Sequence, residues 1–258
     1  MIQLTSSNHN VQIDVGELVS YQVDGHEYIH QKGSPGWRSS DTEMFPIIGP
    51  ASDAGFRVQT PRGYAIQDQH GLLRELTYEL LSQTATTAVF QKDYRAGTLI
   101  NNSKYPDKST EPQVAWPYDF KFTKTFEVKD NALQITFSIS GEAGMPFMLG
   151  YHPAFKLYTA NPVIVANGKD ISLAEVLAVG SRAFSILNCQ TITLNDEKQL
   201  TITTEGFNHF MLWTEVSNMV CIEPITFYPY QVAQQELHSG FQHLGEVEKI
   251  FTVRIKVD

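Results

Sequence analysis

Residues 120–140 read FKFTKTFEVKDNALQITFSIS, and the order of apolar and polar residues in this stretch decides the fold class. Phe120 and Phe122 alternate with Lys121 and Thr123; Leu133, Ile135, Phe137 and Ile139 then alternate with Gln134, Thr136 and Ser138. A period of two puts successive side chains on opposite faces of an extended chain, so each run predicts a strand with one face to bury. Asp130-Asn131 supplies the turn between them, and the whole predicts a hairpin.

The pattern recurs on both sides of this segment. Val19, Tyr21 and Val23 alternate with Ser20 and Gln22 and run into Asp24-Gly25, a dipeptide that favours a type I′ turn, which makes His26 to His30 the returning strand. Phe251, Val253, Ile255 and Val257 alternate with Thr252, Arg254 and Lys256 and predict a closing strand. Leu72 to Leu81 also predicts a strand, although its Leu, Arg and Glu are good helix formers. Helical periodicity is weak, no unit repeats at a fixed period, and no linker divides the chain. These features predict an all-β protein, a large antiparallel sandwich forming one domain over residues 1–258. The longest irregular stretch, Ala96 to Pro117, has a length that is uncommon unless it serves a site or a lid.

Composition narrows the function. Hydrophobic residues make up 42% and charged residues 18%, which supplies a large core and no signature of disorder. The net charge of −9 and the absence of a Lys/Arg cluster along the chain argue against nucleic acid or an anionic membrane surface and favour a neutral small molecule. No stretch approaches the roughly 18 apolar residues of a membrane span, and Met1 to Gly16 lacks the basic start of an export signal, so a cytoplasmic location is expected. Cys189 and Cys221 are too few for a disulfide scaffold or a thiolate zinc site and read as reduced, structural residues. No phosphate-binding glycine loop, metal-binding His pair or nucleophile elbow is present, so no metal is expected.

Three segments place a titratable residue beside a strand-like run: Gln69-His70-Gly71 with Arg74, Gly150-Tyr151-His152-Pro153-Ala154-Phe155, and Cys221-Ile222-Glu223-Pro224. In the last two, proline directly follows the polar residue, which favours extended geometry and predicts the end of a strand. Met219 to Ile222 predicts a buried strand, so a carboxyl group beyond it is partly desolvated and its pKa raised toward that of a useful base. Pattern alone leaves the plainer readings open: a surface carboxylate for Glu223, a core histidine for His152.

Met44-Phe45-Pro46-Ile47-Ile48-Gly49, His70-Gly71-x-x-Arg74, Trp116-Pro117-Tyr118-Asp119-Phe120, Gly150 to Phe155, Leu212-Trp213-Thr214 and Cys221 to Pro224 follow one another from about Gly16 to the end of the chain. In that order they resemble the aldose 1-epimerase, or galactose mutarotase-like, family, especially its shorter bacterial branch. What the resemblance implies is an antiparallel β-supersandwich with a sugar in an open groove and no metal or cofactor in the chemistry. It matches His152 to the family's general acid, Glu223 to its general base, and His70 to a second histidine that contacts the sugar, with Arg74 at the usual spacing. Pro50 departs from the family, standing where an arginine usually helps hold the sugar; Arg57 is the candidate replacement at a different spacing. The acid usual before the strand at Phe184 is also missing, with Gly180 and Ser181 in that neighbourhood. Phe155 or Trp213 would cover an apolar sugar face.

The expected reaction interconverts α and β anomers. Glu223 takes the proton of the anomeric hydroxyl, protonated His152 donates to the ring oxygen, the aldehyde turns about C1–C2, and the roles reverse on closure. Rate would then rise with pH as the glutamate ionises and fall as the histidine deprotonates. Alternatives are a hexose-phosphate or modified-sugar epimerase, a non-catalytic carbohydrate-binding module on the same fold, and, more weakly, a glycosidase, which normally needs two carboxylates. A phosphate would want clustered cations, and the motifs offer only Arg57, Arg62 and Arg74. The sequence leaves monomer and homodimer open.

Overall fold

The computed structural model describes residues 1–257 and is built from antiparallel sheets. The decisive hairpin forms as expected: Phe120–Lys129 pairs with Ala132–Gly141 in a register that sets Phe122 opposite Ile139 and Phe126 opposite Ile135. Asp130 and Asn131 both adopt positive φ, 48° and 53°, as a type I′ turn requires. Asp24 and Gly25 do the same, at 51° and 78°. The closing strand spans Lys249–Val257 and lies against Ala132–Gly141.

Two expectations need correction. The strand after Asp24-Gly25 is only His26–Glu27. The Glu27 carboxylate turns back to accept from the backbone N–H groups of Tyr21 and Ile29, and Ile29 bridges to Phe155 instead of continuing the hairpin. Leu72 to Leu81 is not one strand either: Leu73–Glu75 is a 3₁₀ turn and only Glu79–Gln83 is extended. Leu72 and Leu73 are fully buried, and the Leu73 carbonyl accepts from the Lys92 ammonium at 2.9 Å, so tertiary contacts override the local pattern. The helix Leu173–Val179 was also missed. Ser172 and Glu175 form a capping box at its start, a signal legible as Ser-x-x-Glu.

The larger sheet runs in the order Lys169–Ser172, Val163–Ala166, Thr191–Asn195, Gln199–Glu205, Lys249–Val257, Ala132–Gly141, Phe120–Lys129, Thr87–Tyr94 and Glu79–Gln83. The smaller runs Phe184–Leu187, His209–Trp213, Met219–Ile225, Gly150–Tyr151 and Glu43–Met44, with Ala154–Lys156 also paired to Met219–Ile225. Aromatic contacts join the facing sides, among them Phe45 to Phe122 at 5.3 Å and Phe137 to Tyr151 at 5.1 Å between ring centroids. The first strands, from Ile2–Ser6 to His26–Glu27, form a separate four-stranded sheet. Among the described residues no helix is long and apolar enough to cross a membrane.

A buried ion cluster ties the sheets together beside the future site. Lys124, fully buried on the larger sheet, meets Asp41 at 2.7 Å and Glu43 at 2.6 Å, and the Tyr151 hydroxyl donates to Asp41 at 2.7 Å. Glu43 lies opposite Tyr151 in the smaller sheet, and the backbones of Thr42 and His152 exchange hydrogen bonds at 2.8 and 3.2 Å. The cluster therefore clamps the strand from which His152 emerges. Gly71 makes a second clamp possible. Its φ is +70°, and a Cβ there would lie 2.2 Å from the Phe45 carbonyl oxygen, so only glycine lets the His70 segment close onto Phe45, whose N–H donates to the His70 carbonyl at 3.0 Å.

Candidate active site

Register brings the two sequence-predicted titratable residues together. Gly150 pairs with Ile225 and Ala154 with Cys221, so the antiparallel count places His152 opposite Glu223. The neighbouring strand is broken at His152-Pro153, between Gly150–Tyr151 and Ala154–Lys156. Glu223 was expected at a strand end, but its strand runs on through Pro224 to Ile225. The N–H groups of Ile222 and Thr226 donate toward Pro153 and Leu149, so by alternation the donor that Pro224 lacks would face the break, where it costs no ladder bond.

Alternation also sorts the side chains. Glu223 shares its face with Cys221 and with the cross-strand neighbours Met211 and Trp213. Met211, Trp213, Glu223 and His152 line a cleft of about 650 Å³ together with His70 and Arg74. His152 Nε2 lies 3.4 Å from Glu223 Oε1. The imidazole is boxed in by Trp37, tilted by 32° at 4.4 Å, His70 edge-on at 5.6 Å and Trp213 edge-on at 6.0 Å. Trp213 is thus half-buried yet part of the cleft wall. Phe155 is not: one residue beyond Ala154 its ring falls on the opposite face, in the core, 1% exposed. Arg57 is exposed and outside the cleft lining, so it does not replace the arginine missing at Pro50, which itself lines the cleft.

Burial sets the protonation states. It pushes the His152 imidazole down to about 3 and the Glu223 carboxyl well above the ordinary carboxylate range. Both shifts favour the uncharged forms, so the unliganded pair holds one proton, on Glu223, rather than a charged pair. His70 is held well below its usual value, first by burial and then by its neighbours His152, Arg74 and Lys104. Arg74 donates to His70 Nδ1 at 2.9 Å, which leaves Nε2 as the N–H donor of the ring. Asp68 holds Arg74 through a close ion pair and accepts the His70 backbone N–H at 2.7 Å.

Cys221 lies under the pair. The ligating atoms of His152, Cys221 and Glu223 fall within 4.8 Å of one another, a grouping that spacing along the chain did not reveal. A divalent ion there would need the thiolate and the carboxylate, and burial pushes both groups toward their protonated forms, with Glu223 raising the thiol further. Without an ion all three groups rest uncharged, so metal binding there would have to displace two protons. Exhaustive chelation should therefore leave turnover unchanged, and loss of activity restored by one specific ion would assign the trio to metal chemistry.

Sequence reasoning missed Trp37, Arg38, Lys104, Lys108, Arg182 and Tyr230, all of which line the cleft. Lys104 and Lys108 had one signal, the length of the Ala96 to Pro117 segment; the others had none that a single chain displays.

The sequence profile described as Aldose 1-epimerase matches residues 16–204. No curated protein matches the chain by sequence. Among solved structures, a galactose mutarotase-like protein from Lactobacillus casei superposes with a TM-score of 0.79 at 16% identity, covering 100% of both chains. A galactose mutarotase related enzyme from Lactobacillus acidophilus gives 0.77 at 17% identity, covering 100% of this chain and 97% of the other. The GalM/aldose epimerase homologue from C. elegans gives 0.68 at 10% identity, with 100% and 98% covered.

Proposed function

This chain belongs to the aldose 1-epimerase family, and from that premise we propose that it interconverts the α and β anomers of a sugar, with Glu223 and His152 as the proton-transfer pair. The observation that carries the reading is the 3.4 Å approach of His152 Nε2 to Glu223 Oε1 in the wall of a cleft lined by His70 and Arg74. The anomeric hydroxyl and the ring oxygen sit on the same carbon, so one hemiacetal seated against the pair meets both groups. Carboxylate and imidazolium form together when the sugar hydroxyl donates to Glu223 and the ring oxygen accepts from His152, contacts that take over the role of water for the developing charges. Glu223 then takes the O1 proton as the C1–O5 bond breaks and His152 protonates O5. Rotation about C1–C2 and the reverse transfers close the other anomer, and no net proton leaves the site. His70 Nε2–H and Arg74 orient hydroxyl groups, and Trp213 or Trp37 covers an apolar face of the ring. Polarimetry on freshly dissolved anomers of several sugars tests the reading, which is wrong if the protein accelerates none of them.

The pH dependence inverts the assignment expected from the residue types. The working form of the pair holds a single proton. On the acid side it is lost when a second proton adds to His152, near pH 3; on the alkaline side, when the shared proton leaves Glu223, above the ordinary carboxylate range. kcat/KM should be flat between these limits and fall outside them. A rise through about 4.3 and a fall through about 6.5, the values of free side chains, would sink the uncharged resting pair.

A further inference from the structure

The cleft carries a charge opposite to that of the chain. Overall there are 28 Asp and Glu against 19 Lys and Arg, yet Arg38, Arg74, Lys104, Lys108 and Arg182 line this one cleft against only Glu215 and Glu223. Burial holds Glu223 protonated, so it adds no negative charge. Arg74 has its counter-ions in Asp68 and Glu75. The other four do not: among the described residues no carboxylate lies in ion-pair range of Arg38, Lys104, Lys108 or Arg182, and the guanidinium of Arg182 rests over Tyr230 at 5.4 Å. Lys104 is pushed down by partial burial and by the charges of Arg74 and Lys108, which outweigh the opposing pull of Asp68 and Glu75, the two carboxylates already paired with Arg74. These side chains come from separate segments: Arg38 beside Trp37, Lys104 and Lys108 from the long irregular stretch, Arg182 from the 3₁₀ turn Gly180–Arg182. Arg62, which the sequence offered as a phosphate ligand, is spent elsewhere on Glu142 and the Tyr118 ring.

Unpaired like charges around a concave site repel one another and focus a positive potential into it, so an anionic ligand gains both attraction and relief of that repulsion. A neutral hexose gains neither. We propose that the sugar bound here carries an anionic substituent, a phosphate ester or a carboxylate, held by Lys104, Lys108, Arg182 and Arg38. The volume of about 650 Å³ leaves space for such a group beside the ring. The substituent takes no part in bond making; it anchors the sugar while C1 faces His152 and Glu223. The sugar ring rests on the function proposed above, whereas the anion preference rests on the cations alone.

The test compares glucose, glucose 6-phosphate and glucuronate, measuring anomeric exchange by NMR magnetisation transfer and affinity by calorimetry. Wild type and the Lys104→Ala/Arg182→Ala variant are compared, with folding checked by circular dichroism. One anionic sugar should exceed glucose at least about tenfold in kcat/KM or affinity, the loss expected for one or two charge-assisted contacts. Whether the phosphate or the carboxylate does so identifies the substituent. The advantage should shrink as salt rises from about 0.05 M to about 0.5 M, as screening requires, and collapse in the variant through KM rather than kcat. Glucose handled as well as both anionic sugars overturns the proposal, as does the failure of both anionic sugars to bind. Salt-dependent binding of an anionic sugar without anomeric exchange leaves this inference standing and removes the proposed reaction instead.

Discussion

Glu223→Gln and His152→Asn should each lower the anomerisation rate by about two orders of magnitude or more, the scale typical for a positioned proton-transfer group. Glu223→Gln keeps the shape of the side chain, His152→Asn leaves a smaller polar group in the cleft wall, and each removes a group that burial already holds uncharged, so folding should survive. The two groups are 3.4 Å apart and act in one step. The double variant should therefore lose much less than the product of the single losses, as residues working as a unit do. Polarimetry with the cognate sugar measures all three rates. Two folded single variants turning over at the wild-type rate would remove the pair from the mechanism. Variants and wild type that all bind a sugar without turnover would instead favour a carbohydrate-binding module.

The second large effect is on stability. Lys124→Met should destabilise the protein by about 3–5 kcal/mol, because it leaves buried carboxylates without their cation. Asp41 and Glu43 lie at 2.7 and 2.6 Å from the ammonium and are both buried, and the other nearby cation, Lys92, is 3.9 Å from Glu43 and already pushed down to about 8. Burial raises the Asp41 carboxyl to about 6 even with Lys124 present, which indicates how poorly this site tolerates unpaired charge. Urea unfolding gives the difference directly, and a loss below about 1 kcal/mol would show that the cluster relaxes or admits water. Replacing Asp41 and Glu43 by Leu in the same chain should recover part of the loss, since apolar groups leave no charge to solvate. Because Glu43 pairs with Tyr151 next to His152, the single variant should also lose activity at temperatures where it is still folded.

Much of this architecture was legible along the chain. Phe120 to Ser140, the two turns with positive φ and the closing strand are local matters: alternation and turn chemistry act between near neighbours, and a strand with one apolar face has one way to bury it. His152 and Glu223 were legible through their motifs, and the apolar run before Glu223 signalled its burial. Leu72 to Leu81 was not legible, because the Lys92 ammonium that holds the Leu73 carbonyl arrives from another strand. Phe155 was misread for want of the face on which it falls, and Arg57 because an offset in sequence carries no direction in space.

By itself, then, the sequence determined the regular alternating strands, their turns and the chemical types at the candidate site, because these follow from periodicity and from backbone geometry over a few residues. Tertiary structure alone decided three things. Register between strands some seventy residues apart set His152 opposite Glu223. Enclosure by Trp37, His70 and Trp213 inverted where their shared proton rests. Convergence of Arg38, Lys104, Lys108 and Arg182 gave an acidic chain one basic cleft. Desolvation and Coulomb energy depend on distance and burial in space, and net charge and chain spacing record neither.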